Sequence, residues 1–413
     1  MAGSKTQSIS TNQRTVVQAI NALSNKLKAI SLDIHAHPEL NYQERYAAKL
    51  LSDFLEGQGF EVERKLGGVE TAFRAVAKGN GSGPRIAILA EYDALPGIGH
   101  GCGHNLIALT AIGAVLGAKA ATKLLPGSIE VIGTPAEEGG GGKIRLLEAG
   151  VFKGVDIALS SHPSSNTTII PSNIEPNESW SLAMVGYRYA FHGKAAHAAV
   201  APWEGVNALN AVIHLFTGID ALRQHLREDV RIHGIITDGG KAPNVVPDFA
   251  AANFMLRSKD GDYLKQEVVE KVKQVAEGAA RITGARLEIL PAHPFYENVW
   301  PNGVLADLAK RYAPMVGLPL DEPVPGKKGS GASTDFGNVS QIIPSFAISF
   351  GISDKPVPGH SVAMAEAAST DKALESAIAV AKVLALMTCE LLSNRKLLNK
   401  VSSDFAARSK TDK

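Results

Sequence analysis

Three short, nearly all-apolar runs, RIAILA, SIEVIG and VDIALSS, each end on acids or a histidine: EYD after the first, TPAEE after the second, HP after the third. Runs of six or seven such residues are too short for buried helices and read as strands covered on both faces. Helical patterns separate them, rich in Ala, Leu and Gly from Asn105 to Leu125 and shorter near Lys143 to Ala149. Strands alternating with helices imply an α/β sheet, and polar residues at strand ends then gather at the sheet edge where open α/β folds bind ligands. Before this core stand two helical segments, around Val16 to Ile30 and Tyr42 to Gln58, and two strand-like segments, EVERKL and TAFRAVAKG.

From about Trp180 the order changes to strand, helix, strand, strand, helix, strand, ending in ARLEILP. This βαββαβ order is that of a ferredoxin-like α+β unit, large enough to fold alone. After Tyr296 the first pattern resumes, with a helix near Gly303 to Tyr312, the strand SFAISFGI and a closing helix from about Ser369 to Leu392. The expected organisation is a discontinuous catalytic domain, 1–178 and 298–413, carrying an inserted domain at 179–297.

Composition removes several classes. With 45% hydrophobic and 20% charged residues in 413, the bulk is neither disordered nor coiled coil. A formal charge of +1 leaves no field to draw nucleic acid or anionic lipid. The N-terminal MAGSKTQSISTNQR has no apolar signal region, and no run suggests a membrane span. Two cysteines, Cys102 and Cys389, cannot form a disulfide framework, so a reducing, cytoplasmic location is expected.

HGCGHN places His100, Cys102 and His104 at alternate positions of a Gly-rich turn, so that two side chains can face one ion. A tight turn with an incidental buried cysteine is the competing explanation. Glu137 and Glu138 are adjacent and repel unless a cation or a proton lies between them, which suits one as ligand and the other as proton carrier. His162 and His360 each follow an apolar strand. Together Cys102, His104, Glu138, His162 and His360 supply donors for two divalent ions, zinc first, with manganese or cobalt also suited, and Glu137 remains to take a proton from the water they acidify. Asp93 is read as orienting a ligand imidazole. The glycines at 139–142 lack the Lys-Ser/Thr of a phosphate loop and are assigned to close backbone approach.

The ordered motifs EYDALP, GCGHN, TPAEEGGGG, SSHP, GKAAHAA, PNVVPD, GASTDFGNVS and PGHS resemble those of the aminoacylase/carboxypeptidase metallopeptidases, family twenty of that class, over most of the chain. The chain is similar to the branch with auxin-conjugate amidohydrolases and aminobenzoyl-glutamate hydrolases, and most of all to dipeptidase-like members acting on β-alanyl-lysine. The resemblance implies a di-metal aminopeptidase-like domain with an inserted lid and dimerisation domain. It implies amide hydrolysis of a dipeptide or N-acyl amino acid, with Cys102, His104, Glu138, His162 and His360 as ligands and Glu137 as general base. It further implies a homodimer in which His197 reaches the neighbouring subunit's site, and substrate-carboxylate contacts from Asn244 and Arg257. Two positions depart from the auxin-type pattern: Asn105 stands where Asp is usual, and Ser333, Thr334 and Asp335 replace a Ser-Glu-Asp. A catalytically silent metal-binding regulatory dimer and a di-metal phosphoesterase are the alternative functions.

Overall fold

The computed structural model describes residues 11–122, 125–170, 179–322 and 331–408. Contacts divide the chain into two compact units, one made of the described residues before 171, 300–322 and those from 338 onward, the other of Ser179–Val299 with 331–337.

The first unit is a six-stranded mixed sheet flanked by helices. In chain order its elements are α1 (Thr11–Ala36), α2 (Arg45–Gly57), β1 (Glu61–Arg64), β2 (Phe73–Lys78), β3 (Arg85–Ala90), α3 (His104–Thr122), β4 (Ser128–Gly133), α4 (Gly142–Glu148) and β5 (Ile157–Ser164). The spatial order is β1-β2-β4-β3-β5 followed by the strand Ser345–Gly351, parallel from β4 onward. The central strands are buried almost throughout because helices cover both faces, which is why they read as unbroken apolar runs. Their C-terminal ends bring Glu91 to Asp93, Thr134 to Glu138, and His162 to one edge.

The second unit contains β6 (Ala183–His192), α5 (Ala208–Leu222), β7 (Arg231–Asp238), β8 (Phe249–Ser258), α6 (Val269–Thr283) and β9 (Arg286–Tyr296). Its antiparallel sheet has the order β7-β8-β6-β9, the ferredoxin-like arrangement, and α5 and α6 pack on it through Ala211, Leu215, Ile219, Val272 and Ala276. The first unit then continues through α7 (Gly303–Tyr312), β10 (Ser345–Gly351), α8 (Asp371–Ser393) and α9 (Arg395–Arg408).

Three sequence expectations change. Helix α2 begins at Arg45 rather than near Tyr42, because Tyr42 is left-handed at φ 60° and Glu39 caps the helix through the amides of Tyr46 and Ala47. A helix not read from the sequence, α9, follows α8, and its polar length is held by the buried residues Val401 and Arg408. Two helices do reach the length and hydropathy of a membrane span, His104–Ala121 and Asp371–Ser393. These windows are 89% and 67% buried inside the fold, so their apolarity is that of core helices packed on one another and on the sheet.

The turn into α3 rests on Gly103, left-handed at φ 75°, where a Cβ would come within 2.9 Å of the Pro163 ring. Gly103→Ala is therefore expected to destabilise the protein by about 1–3 kcal/mol, seen as a lower denaturation midpoint with an unchanged m-value.

Candidate metal centre

Asp93, one of three polar residues following β3, is buried and divides its two oxygens. One lies 2.9 Å from His104 Nδ1, and the other accepts the Glu138 backbone N–H at 2.8 Å. Accepting from Nδ1–H leaves Nε2 of His104 as the lone-pair nitrogen, aimed into the site. Around it stand Glu91 Oε2 at 3.5 Å, Glu138 Oε1 at 3.9 Å and Glu137 Oε2 at 4.0 Å. Cys102 Sγ lies 3.4 Å from His162 Nε2, and Glu138 Oε1 lies 3.4 Å from His360 Nε2.

Three donor sets gather with their ligand atoms within 4.8 Å of one another: Cys102, His104 and His162; Cys102, Glu138 and His360; and Glu91, His104 and Glu137. Cys102 and His104 each belong to two of them. The buried atoms His104 Nε2, Glu91 Oε2 and Glu138 Oε1 make no hydrogen bond in the fold, a costly arrangement unless a cation takes their lone pairs. Thiolate, imidazole and carboxylate donors with unspent lone pairs fit divalent metal.

The electrostatics agree. Burial opposes charge on His104, yet Asp93 and Cys102 outweigh it and raise the imidazole well above its ordinary value, so this point draws positive charge. Burial opposes ionisation of Glu138 too, but His360 and His104 hold it below the usual carboxylate range. Burial lowers His162 and keeps it neutral, the form that ligates. Burial pushes the Cys102 thiol up to about 12, so its thiolate requires a cation. His360 is itself left-handed, at φ 54°, with its N–H on the Gly101 carbonyl at 3.1 Å.

All six first-unit candidates thus converge, and Asp93 hydrogen-bonds the His104 imidazole. His100 turns away instead, its Nε2 on the Ile34 carbonyl at 3.1 Å. Asn105 bonds Ser31 and the Ala368 carbonyl, tying α3 to its neighbours. His197, Asn244 and Arg257 lie in the second unit. His197 is exposed and its Nδ1 accepts the amides of Ala199 and Val200 at 3.2 Å, which places the ring hydrogen of the neutral imidazole on Nε2. The Ala198 N–H bonds the Asn244 carbonyl at 3.0 Å, so His197 and Asn244 share one loop pair. Arg257, half-buried on β8, donates to Ser333 Oγ at 3.0 Å, and Asp335 is buried two residues beyond.

Sequence reasoning missed two members. Glu91 follows β3 directly, inside the EYDALP motif, and Lys143, fully buried, reaches its Oε1 at 2.7 Å. The available signal was a lone cation directly after four glycines. Those glycines do allow close approach: a Cβ on Gly142 would sit 1.7 Å from the Pro135 carbonyl oxygen.

The match to known proteins follows the same residues. Residues 87–387 fit the model of peptidase family M20/M25/M40. The mouse Xaa-Arg dipeptidase is 36% identical over 411 residues, covering 96% of this chain and 92% of that protein. The chain belongs to this family. One of the subunits of the Escherichia coli p-aminobenzoyl-glutamate hydrolase is 35% identical over 67% of this chain and 59% of its own length. A dinuclear metal binding peptidase of family M20 from Bacillus subtilis shares the fold at a TM-score of 0.68 and 24% identity, covering 90% of this chain and 99% of that one. The protein is a metal-dependent peptidase that hydrolyses amide bonds in dipeptides or N-acyl amino acids.

Replacing Lys143 by Met would leave Glu91 buried and uncompensated. We expect a loss of about 3–5 kcal/mol in the metal-free protein, measured by denaturant unfolding in chelator, and a larger rise in melting temperature on adding metal than the wild type shows.

Proposed function

We propose that this enzyme is a zinc-dependent homodimeric dipeptidase whose preferred substrates carry a basic C-terminal residue. The observation that carries the chemistry is the convergence of Cys102, His104, Glu138, His162 and His360 with Glu137 beside them. Those five side chains would hold two divalent ions, zinc first because thiolate and imidazole dominate the donor set, with manganese or cobalt as substitutes. Bound there, the ions supply a Lewis acid and an acidified water.

Glu137 takes the proton of the attacking water and returns it to the departing amine nitrogen. Asp93 holds His104 in the ligating tautomer and fixes the Glu138 backbone. His197 of one subunit donates its Nε2–H to the carbonyl oxygen of substrate bound in the other, where negative charge develops. Asn244 and Arg257 hold the substrate carboxylate. The basic-dipeptide preference rests on the likeness to the Xaa-Arg dipeptidase. The dimer is supported by β7, which among the described residues pairs only with β8 and presents Ile235 and Ile236 at 66% and 46% exposure, and by Ile213 on α5, 48% exposed. An edge strand with exposed isoleucines calls for a partner. Unpaired Cys102 and Cys389 suit a cytoplasmic location.

Glu137→Ala is expected to lower kcat by about 10²–10⁴-fold with metal content unchanged; wild-type turnover would remove it as base. Metal analysis and assays on β-alanyl-lysine, aminobenzoyl-glutamate and N-acetylated amino acids test the ion and the substrate. Mixing inactive His197→Ala with inactive Glu137→Ala should restore roughly a quarter of wild-type turnover through heterodimers with one intact site, and a mixture as dead as its parents would argue against the shared site.

A further inference from the structure

The loop that carries Glu137 and Glu138 has little in its own sequence to hold it. Ala136 is left-handed at φ 59° without being glycine, Gly139 and Gly141 have φ of 99° and 66°, and Gly140 and Gly142 complete the run. Such a chain is permissive, and one conformation must be imposed from outside.

The segment between α1 and α2 makes the required contacts. Glu44, fully buried, accepts the Ala136 N–H on Oε1 at 2.8 Å and the Thr71 hydroxyl on Oε2 at 3.0 Å. Asn41 Nδ2 donates to the Glu138 carbonyl. Tyr42 donates its hydroxyl to the Gly140 carbonyl at 2.6 Å, and the Arg145 guanidinium covers its ring at 4.3 Å. Three neighbouring residues therefore grip the backbone of residues 136, 138 and 140, alternate positions that bracket the glutamate pair. The segment is rooted at both ends. The Glu39 carbonyl accepts the Ala94 N–H at 2.8 Å, next to Asp93, and the Glu39 carboxylate caps α2.

We propose that Asn41, Tyr42 and Glu44 are positioning residues for the reaction, forming a clamp that fixes the glutamate loop so that Glu137 and Glu138 stand at their working distances from His104. The proposal rests on the reading of Glu137 as general base. Each of the three is bonded to the loop backbone, at residues 138, 140 and 136, and acts through it. A displacement of the base by about 1 Å is enough to cost on the order of 10²-fold in rate, so the clamp acts on kcat before it acts on binding. Burial, then the Asp93 charge, raises Glu44 to about 7, so a neutral amide is a fair replacement there: Gln keeps the oxygen that accepts from Ala136 and can donate to Thr71.

The test compares Asn41→Ala, Tyr42→Phe, Glu44→Ala and Glu44→Gln in the metal-loaded full-length protein. Readouts are kcat and KM on a dipeptide, zinc retention in competition with a chromogenic chelator, and circular dichroism. Asn41→Ala and Tyr42→Phe are each expected to lower kcat about 5- to 10-fold with KM within about twofold. Glu44→Ala should lower kcat by about 10²-fold and release zinc at lower chelator concentration, while Glu44→Gln stays within about threefold of wild type on both readouts. Wild-type kcat and zinc retention in Asn41→Ala and Tyr42→Phe would overturn the proposal, as would a rise in KM at unchanged kcat. Should Glu44→Ala fail to fold, those two single-bond variants decide alone. Glu137→Ala run beside them separates the two claims: if it is inactive while the clamp variants are normal, the clamp fails and the base stands, and if it is active, the base assignment itself fails.

Discussion

One buried carboxylate sets the geometry on which the rest of this site depends. Asp93 spends one oxygen on the His104 ring and the other on the Glu138 amide, so a histidine from the start of a helix and a glutamate from a loop after another strand are locked to a common point. Asp93 is itself held below its ordinary carboxylate range: burial opposes ionisation, but the charge and hydrogen bond of His104 and the Glu138 amide prevail. The anion that orients the His104 ring and the Glu138 backbone is thereby kept an anion.

Around that point the fold concentrates negative charge that it could not tolerate alone. Asp93, Glu91, Glu137, Glu138 and a Cys102 thiolate carry five charges, against which Lys143 stands as the buried permanent cation paired with Glu91. Two divalent ions held there would bring these charges to neutrality. Metal occupancy is on this account part of the folded state's electrostatic balance as well as of its chemistry, and the open lone pairs of His104, Glu91 and Glu138 mark where that balance is settled.

Backbone strain falls in the same places. Among the described residues, four non-glycine positions are left-handed: Tyr42, Lys65, Ala136 and His360. Three of these lie at the site: Tyr42, bonded to the glutamate loop, Ala136, just before the glutamate pair, and His360, facing Glu138. Such conformations persist where the surroundings over-determine them, and here hydrogen bonds from the Ala136 amide to Glu44, from the Tyr42 hydroxyl to Gly140 and from the His360 amide to Gly101 do so.

What the amino-acid sequence determined was the class of structure and the candidate donor set. Apolar strands with polar ends announce a parallel sheet with a site at its C-terminal edge, and the βαββαβ block has its own period and turn signals. Cys102, His104, Glu138, His162 and His360 were legible as candidate donors because metal-binding side chains are of a few residue types, placed where strands end. Glu91, Lys143 and Glu44 were not, because a buried ion pair or a side chain bonded to a distant backbone amide leaves no periodic trace: Glu44 and Ala136 lie 92 residues apart. Tertiary structure alone decided that His104 points inward while His100 points away, that α2 starts three residues late, and that two helices apolar enough for a bilayer are core. Those outcomes depend on which neighbour satisfies each polar group and covers each apolar face, and that is known only when the chain has closed on itself.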